Sequence, residues 1–233
     1  MKYDITLTNE LKKYVEEQGI DVIGIADVNV LNAEGRQGRR PQDLFPEGKA
    51  ILIFGCGMLD AFSRGWIVNG KGGEFLALTL LELEHRKILL KSWLKHHGYH
   101  TYGGGIYGDG ALHLGIRLGE AAASCGMGYI GKSNLLITPK YGPRVNLLYL
   151  ATDAPLKADV AKNSNQCGDC QICEKACLSG AIMGDVYFHA RQCESIINCH
   201  PNKRYYSKYV NQDCDRCLRV CPKGEIHWER SKL

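Results

Sequence analysis

The sequence predicts a mixed α/β (α+β) chain in two parts. One is an upstream region of sheet and helices and the other a cysteine-rich downstream module. Three observations predict this. Helix-periodic segments alternate with short apolar runs as far as residue 153. Glycine and proline punctuate those runs. Of the 11 cysteines, all but Cys56 and Cys125 follow residue 166. The expected division is residues 1–160 and 161–233.

The first element is a helix with Thr8 as its N-cap and Leu11, Tyr14 and Val15 on one face. Gly19 marks its stop. "DVIGIADV" (21–28) reads as a strand, and residues 29–48, with Pro41 and Pro46, as a loop. "AILIFGCG" (50–57) is a short buried strand, and a polar, glycine-rich segment covers 63–74. Phe75 to His97 is the longest helix. Leu76, Leu80, Leu83, Ile88, Trp93 and Leu94 supply its apolar face, and Gly98 ends it. The glycine loop "GYHTYGGGIYGDG" (98–110) precedes a helix over Leu112 to Ser124. After "GMGYIGKS" (126–133), the stretches "NLLIT" (134–138) and "VNLLYLATD" (145–153) read as strands around the turn "PKYG" (139–142).

In the downstream module, Cys167, Cys170 and Cys173 fall three apart, and Cys177 follows. In two-cluster ferredoxins the fourth cysteine of such a run ligates the other cube. A second set supplies Cys193, Cys214, Cys217 and Cys221, and Pro222 stands where a ferredoxin run has its proline. The spacing therefore assigns Cys167, Cys170, Cys173 and Cys221 to one 4Fe–4S cluster. Cys177, Cys193, Cys214 and Cys217 go to a second. Zinc is the rival for Cys214 and Cys217, but a triplet of three-spaced thiolates suits a cubane better than tetrahedral zinc. Cys199 is the rival to Cys193. Cys56 and Cys125 read as buried thiols.

The formal charge is +4, and the whole excess lies in residues 200–233. A nucleic-acid patch is one reading. The reading taken is that two oxidised cubes with their thiolates, each about −2, cancel this tail. No apolar stretch nears the roughly 20 residues of a membrane span. "MKYDITLTNE" lacks the basic and apolar regions of a signal peptide. A cytoplasmic protein with metal-bound thiolates and no membrane contact is expected.

"GMGYIGKS" matches both a phosphate-loop pattern and GxGxxG, with Asp153 at the distance of a ribose-binding acid. Both motifs need a strand before and a helix after, because the helix N-terminus holds the phosphate. Here a helix precedes and a strand follows, so neither is adopted. The glycines still imply close backbone approach, to packed chain or to a large planar ligand.

"CGMGYIGKSNLLITPKYGPRVNLLYLATDAPL" (125–156), followed by the cysteine series, resembles the epoxyqueuosine reductases and the core of reductive dehalogenases. Their signature is a turn of the form GLGWIGK, then a strand, a TD-x-PL segment and a double four-iron module. The resemblance implies a nitroreductase-like core sheet with flanking helices plus a ferredoxin-like double 4Fe–4S module. It also implies base-off cobalamin in the core, with Gly126, Gly128, Tyr129, Gly131, Lys132 and Ser133 against the corrin or its tail. The family's D-S-A-P segment is missing here, so Asp109 stands as the nearest proton-donor candidate. Tyr107 or Tyr102 takes the tyrosine role of the dehalogenases. Only twelve residues follow Cys221, without the helical-repeat region that helps hold tRNA, so tRNA is not the expected substrate.

The expected function is reduction of an unknown substrate, with single electrons passing from a ferredoxin- or flavodoxin-type donor through the clusters to cobalamin. The alternative is a non-catalytic carrier that reduces a partner's corrinoid or metal centre. A flavin-binding relative with appended clusters is a third reading.

Overall fold

In the computed structural model the described residues are 3–34, 40–58, 66–68, 75–103, 118–161, 167–184, 193, 210–211 and 216–225. Tyr107, Asp109, Cys199 and Cys214 lie outside them. The chain forms two compact units that interleave in sequence. The first comprises residues 1–56, 82–128 and 146–163, and the second 57–81, 129–145 and 164–233. Residues 129–145 thus group with the cysteine segment.

The first unit is built on a sheet of β1 (Val22–Asp27), β2 (Ala50–Gly57), β8 (Val145–Thr152) and β5 (Thr101–Tyr102), in that order. β1 and β2 are antiparallel, from Val22↔Gly55 to Asp27↔Ala50. β5 is antiparallel to β8. Lys49 N–H bonds to the Thr152 carbonyl at 2.8 Å, and Gly55 lies against the Asn146 carbonyl, so β2 and β8 also run antiparallel. Every β2 residue except the last is buried. Its apolar run is continuous rather than alternating because both faces are covered. Ile51, Leu52, Ile53 and Phe54 are the centre of this core, each contributing about 1.5–3 kcal/mol of burial.

Helix α1 (Ile5–Glu17) begins earlier than expected, because Asp4 rather than Thr8 is the N-cap. The Asp4 carboxylate accepts Leu7 N–H at 2.9 Å. The Thr8 hydroxyl instead bonds back to the Asp4 carbonyl at 2.6 Å and accepts Lys157 N–H at 3.0 Å. Leu7, Leu11 and Val15 form the buried face, and Gly19, at φ 64°, follows the stop.

The expected loop 29–48 contains two short helices, α2 (Val28–Glu34) and α3 (Pro41–Leu44). The Asp27 carboxylate accepts Asn29 N–H at 2.8 Å and starts the first. Pro41, read as a breaker, occupies the first turn of the second, where its missing N–H costs nothing.

The long helix α4 (Leu78–His96) starts three residues late, because Phe75–Ala77 is strand β4. Its buried stripe runs through Leu83, Lys87, Leu90 and Leu94. Ile88, placed on the apolar face from the sequence, is 59% exposed. Lys87 occupies the stripe position instead and pairs with Glu84. Trp93 stacks on Tyr14 of α1, ring centroids 5.9 Å apart. Helix α5 (Leu118–Ser124) follows.

In the second unit β4 and β9 (Val210–Asn211) flank β3 (Trp66–Val68), both pairs antiparallel. A small hairpin joins β6 (Tyr129–Ile130) to β7 (Leu136–Ile137). Helices α6 (Ile172–Ala176) and α7 (Arg216–Val220) pack together. Among the described residues no helix is long and apolar enough to cross a membrane.

Candidate metal centre

The hairpin that carries the glycine turn is held by its own backbone. Gly131 N–H bonds to the Leu135 carbonyl at 2.9 Å, and Asn134 N–H to the Gly131 carbonyl at 2.8 Å. A Cβ on Gly131 would stand 2.9 Å from Ile137 Cγ1 and 3.4 Å from Cys167 Sγ. The missing side chain makes room for Ile137, and the turn stands at contact distance from the first cysteine. The turn is preceded by helix α5 and followed by strand β7, the reverse of a nucleotide loop.

Cys167, Cys170, Cys173 and Cys221 line one pocket. Lys132, Ser133 and Ile137 of the hairpin form another wall. Cys170 N–H closes the first turn onto the Cys167 carbonyl at 3.0 Å, and α6 carries Cys173. Burial pushes the Cys173 thiol up, and Cys167, Cys221 and Cys170 push it further. Burial also raises Cys221; Lys223 N–H and Arg144 oppose it, while Cys167 and Cys170 reinforce it. The four sulfurs therefore share one space. Packing four ionisable thiols together costs free energy unless a cationic group draws off their protons and repulsion.

Among the described residues no three thiols, imidazoles or carboxylates converge closely enough for a single metal ion. Four sulfurs around one pocket suit the corners of a cube. Their softness matches iron–sulfur ligation. The residues present thus fit a 4Fe–4S group.

Cys221 is held from behind. Arg144 is 7% exposed and donates to the carbonyls of Leu218 at 3.4 Å, Cys221 at 3.2 Å and Lys223 at 3.0 Å. These carbonyls lie at and just beyond the C-terminus of α7, where a cation satisfies orphan acceptors. Glu225 N–H adds bonds to the carbonyls of Pro139 (3.1 Å) and Lys140 (2.9 Å). The turn 139–144 is in this way stitched to residues 218–225. Sequence reasoning missed Arg144, which falls between the expected turn "PKYG" (139–142) and the strand from Val145; its signal was a lone basic residue at the mouth of an apolar strand.

Cys177 does not line the pocket. Its sulfur accepts Ala181 N–H at 3.3 Å and lies 3.5 Å from the Ser179 hydroxyl. Burial works to raise this thiol, but hydrogen bonds from Ser179, Ala181 and Ile182 outweigh it and leave Cys177 below the ordinary range. Cys193 and Cys217 are half-buried. Cys56 and Cys125 are buried thiols, as expected, pushed up chiefly by burial to about 11 and about 12.

The residues expected at a corrin divide. Tyr129, Gly131, Lys132 and Ser133 belong to the hairpin beside the cysteines. Gly126, at φ 78°, ends α5 with its N–H on the Ala123 carbonyl at 3.1 Å, and Gly128 lies in the link to β6. The Tyr129 hydroxyl is buried without a hydrogen-bond partner among the described residues. Asp153, weighed as a ribose ligand, instead accepts from His100 N–H at 2.8 Å and faces its Nδ1 at 3.0 Å. Tyr102 is half-buried on β5, stacked with Phe45.

An antiparallel α/β unit and a thiol-lined pocket under a glycine hairpin define the class, and relatives narrow it. No family model matches the chain. The epoxyqueuosine reductase of Listeria monocytogenes is 34% identical over 111 residues, 46% of this chain and 29% of that protein. That of Pseudomonas aeruginosa is 23% identical over 254 residues, covering 93% of this chain and 68% of the relative. The Bacillus subtilis epoxyqueuosine reductase structure has a TM-score of 0.67 at 23% identity, over 93% of this chain and 65% of that one. An epoxyqueuosine reductase solved with an epoxyqueuosine-modified tRNA-Tyr stem loop has a TM-score of 0.69 at 23% identity, over the same shares of the two chains. A catabolic reductive dehalogenase has a TM-score of 0.64 at 16% identity, over 91% of this chain and 31% of that one. The chain is epoxyqueuosine reductase-like in sequence and fold, and spans from under a third to about two thirds of these epoxyqueuosine reductases.

Proposed function

We propose that the chain is an oxidoreductase of the epoxyqueuosine reductase type, with a ferredoxin-like module holding two 4Fe–4S clusters. One observation carries this reading. Cys221 shares a pocket with Cys167, Cys170 and Cys173, while Cys177 turns to the N–H groups of its own loop. That is the arrangement a two-cluster crossover calls for, and it supports the reading. In this reading the first cube is held by the pocket cysteines and the second by Cys177, Cys193, Cys214 and Cys217. When bound, the cubes supply one-electron transfer. The protein holds Cys221 in place through Arg144 and walls the first site with the hairpin.

The acceptor we propose for the electrons is base-off cobalamin in the first unit, fed by a ferredoxin- or flavodoxin-type donor. Asp109 and Tyr107 are the proposed proton donors, since reductive cleavage leaves a carbanion or alkoxide that must be protonated. The expectation against tRNA is set aside as a guide, because a structural relative was solved with a modified tRNA stem loop. Epoxyqueuosine-bearing tRNA is therefore the first substrate to test.

The test is anaerobic reconstitution with iron and sulfide, then titration with cob(II)alamin followed by EPR. About eight irons per chain are expected, with a base-off cobalt signal that saturates with protein, and turnover of the modified stem loop under low-potential electrons. Two cubes with an unchanged cobalt signal would return the non-catalytic carrier.

A further inference from the structure

The Tyr129 hydroxyl stands close to Cys167 but belongs to neither proposed ligand set. It is buried and has no hydrogen-bond partner among the described residues. A buried hydroxyl without a well-aligned partner is costly, so a sulfur that can accept its proton is worth seeking. Cys167 is the group within reach of a hydrogen bond to it, and Cys221 and Cys170 act on it more weakly. The turn carrying Tyr129 stands beside Cys167, since a Cβ on Gly131 would lie at contact distance, 3.4 Å, from its Sγ.

We propose that Tyr129 donates a hydrogen bond to the Cys167 sulfur of the first cluster and thereby raises the reduction potential of that cluster over the second. This rests on the two-cluster reading above. The physical reason is simple. A reduced cube carries one more negative charge, and a donor on a ligand sulfur stabilises the more negative state. Tryptophan also offers a single N–H donor, whereas phenylalanine offers none.

Tyr129→Phe tests it in the reconstituted full chain, with iron counts and EPR-monitored redox titration. Iron content is expected to stay at the wild-type value. One cluster should become about tenfold harder to reduce, a fall of about 59 mV for one electron, with the other unmoved. Tyr129→Trp should restore it toward wild type. Unmoved midpoints in Tyr129→Phe would overturn the proposal. So would loss of iron in that variant, which would make Tyr129 a packing residue, or a Tyr129→Trp shift equal to that of Phe. If wild type itself takes up no cubes, the two-cluster reading fails instead, and the outcomes are distinct.

Discussion

Arg144 Nη1 lies 3.2 Å from the carbonyl oxygen of Cys221, and the same guanidinium reaches Lys223 at 3.0 Å. One buried cation therefore ties the start of β8 to the loop carrying the last cysteine. Each hydrogen bond to a charged donor contributes about 1.5–3 kcal/mol. Arg144→Met leaves the carbonyls of Leu218, Cys221 and Lys223 without their donor. We expect a loss of about 3 kcal/mol or more in urea unfolding, and preferential loss of one cluster on reconstitution. Arg144→Lys, with one nitrogen in place of a fork, should fall between the two.

Gly142 is the second part of that clamp. It sits at φ 59°, and a Cβ there would fall 2.0 Å from the Lys223 carbonyl oxygen. Backbone cannot yield as a side chain can. Gly142→Ala should cost more than about 1 kcal/mol and impair cluster loading. Gly168→Ala makes the control, since it has a similar positive φ of 46° with nothing within 4 Å of the added atom. If both variants load iron equally badly, the close contact at residue 223 is not what matters.

The buried thiols are expected to contribute to the loss of stability at alkaline pH. Cys125 is 3% exposed and its thiol is pushed up to about 12 by burial, then by Asp159. The folded form thus holds its proton longer than the unfolded chain, whose thiol titrates near 8.5. The stabilisation is whole below about pH 8.5 and is lost as pH rises toward 12, by at most about 1.4 kcal/mol per pH unit. Cys125→Ala should lower neutral-pH stability but flatten the decline between pH 9 and 11. Parallel declines would assign the alkaline limit to other groups; Cys56 acts in the same sense.

Much of the fold was legible where one residue pattern had one physical solution. β2 was bounded correctly because Lys49 precedes the apolar run and Gly57 closes it. The α1 stop was legible because Gly19 takes the positive φ. What failed were competitions. Asp4 and Thr8 both suit an N-cap, and the choice went to Asp4 because the Thr8 hydroxyl is used by Lys157. Pro41 reads as a breaker or as a first helical residue, and Asp43 decided it by accepting Arg40 N–H. In the site, cysteine spacing suggested which sulfurs to look for together. It carried no trace of Arg144 or the orphan Tyr129 hydroxyl, because both act across long sequence separations.

Cys193 and Cys199 are both candidates for the second cube, and single variants separate them. Cys193→Ala is expected to lose about four of about eight irons, with Cys199→Ala unchanged. The opposite pattern would move the ligand to Cys199.

The most direct measurement compares the cluster that survives in three variants, Cys167→Ala, Cys221→Ala and Cys177→Ala, by EPR of the dithionite-reduced, reconstituted proteins. A crossover predicts that Cys167→Ala and Cys221→Ala leave the same residual signal, that of the second cube, while Cys177→Ala leaves the other. If Cys177→Ala and Cys167→Ala leave the same signal and Cys221→Ala a different one, the run 167–177 closes on a single cube and the crossover is wrong.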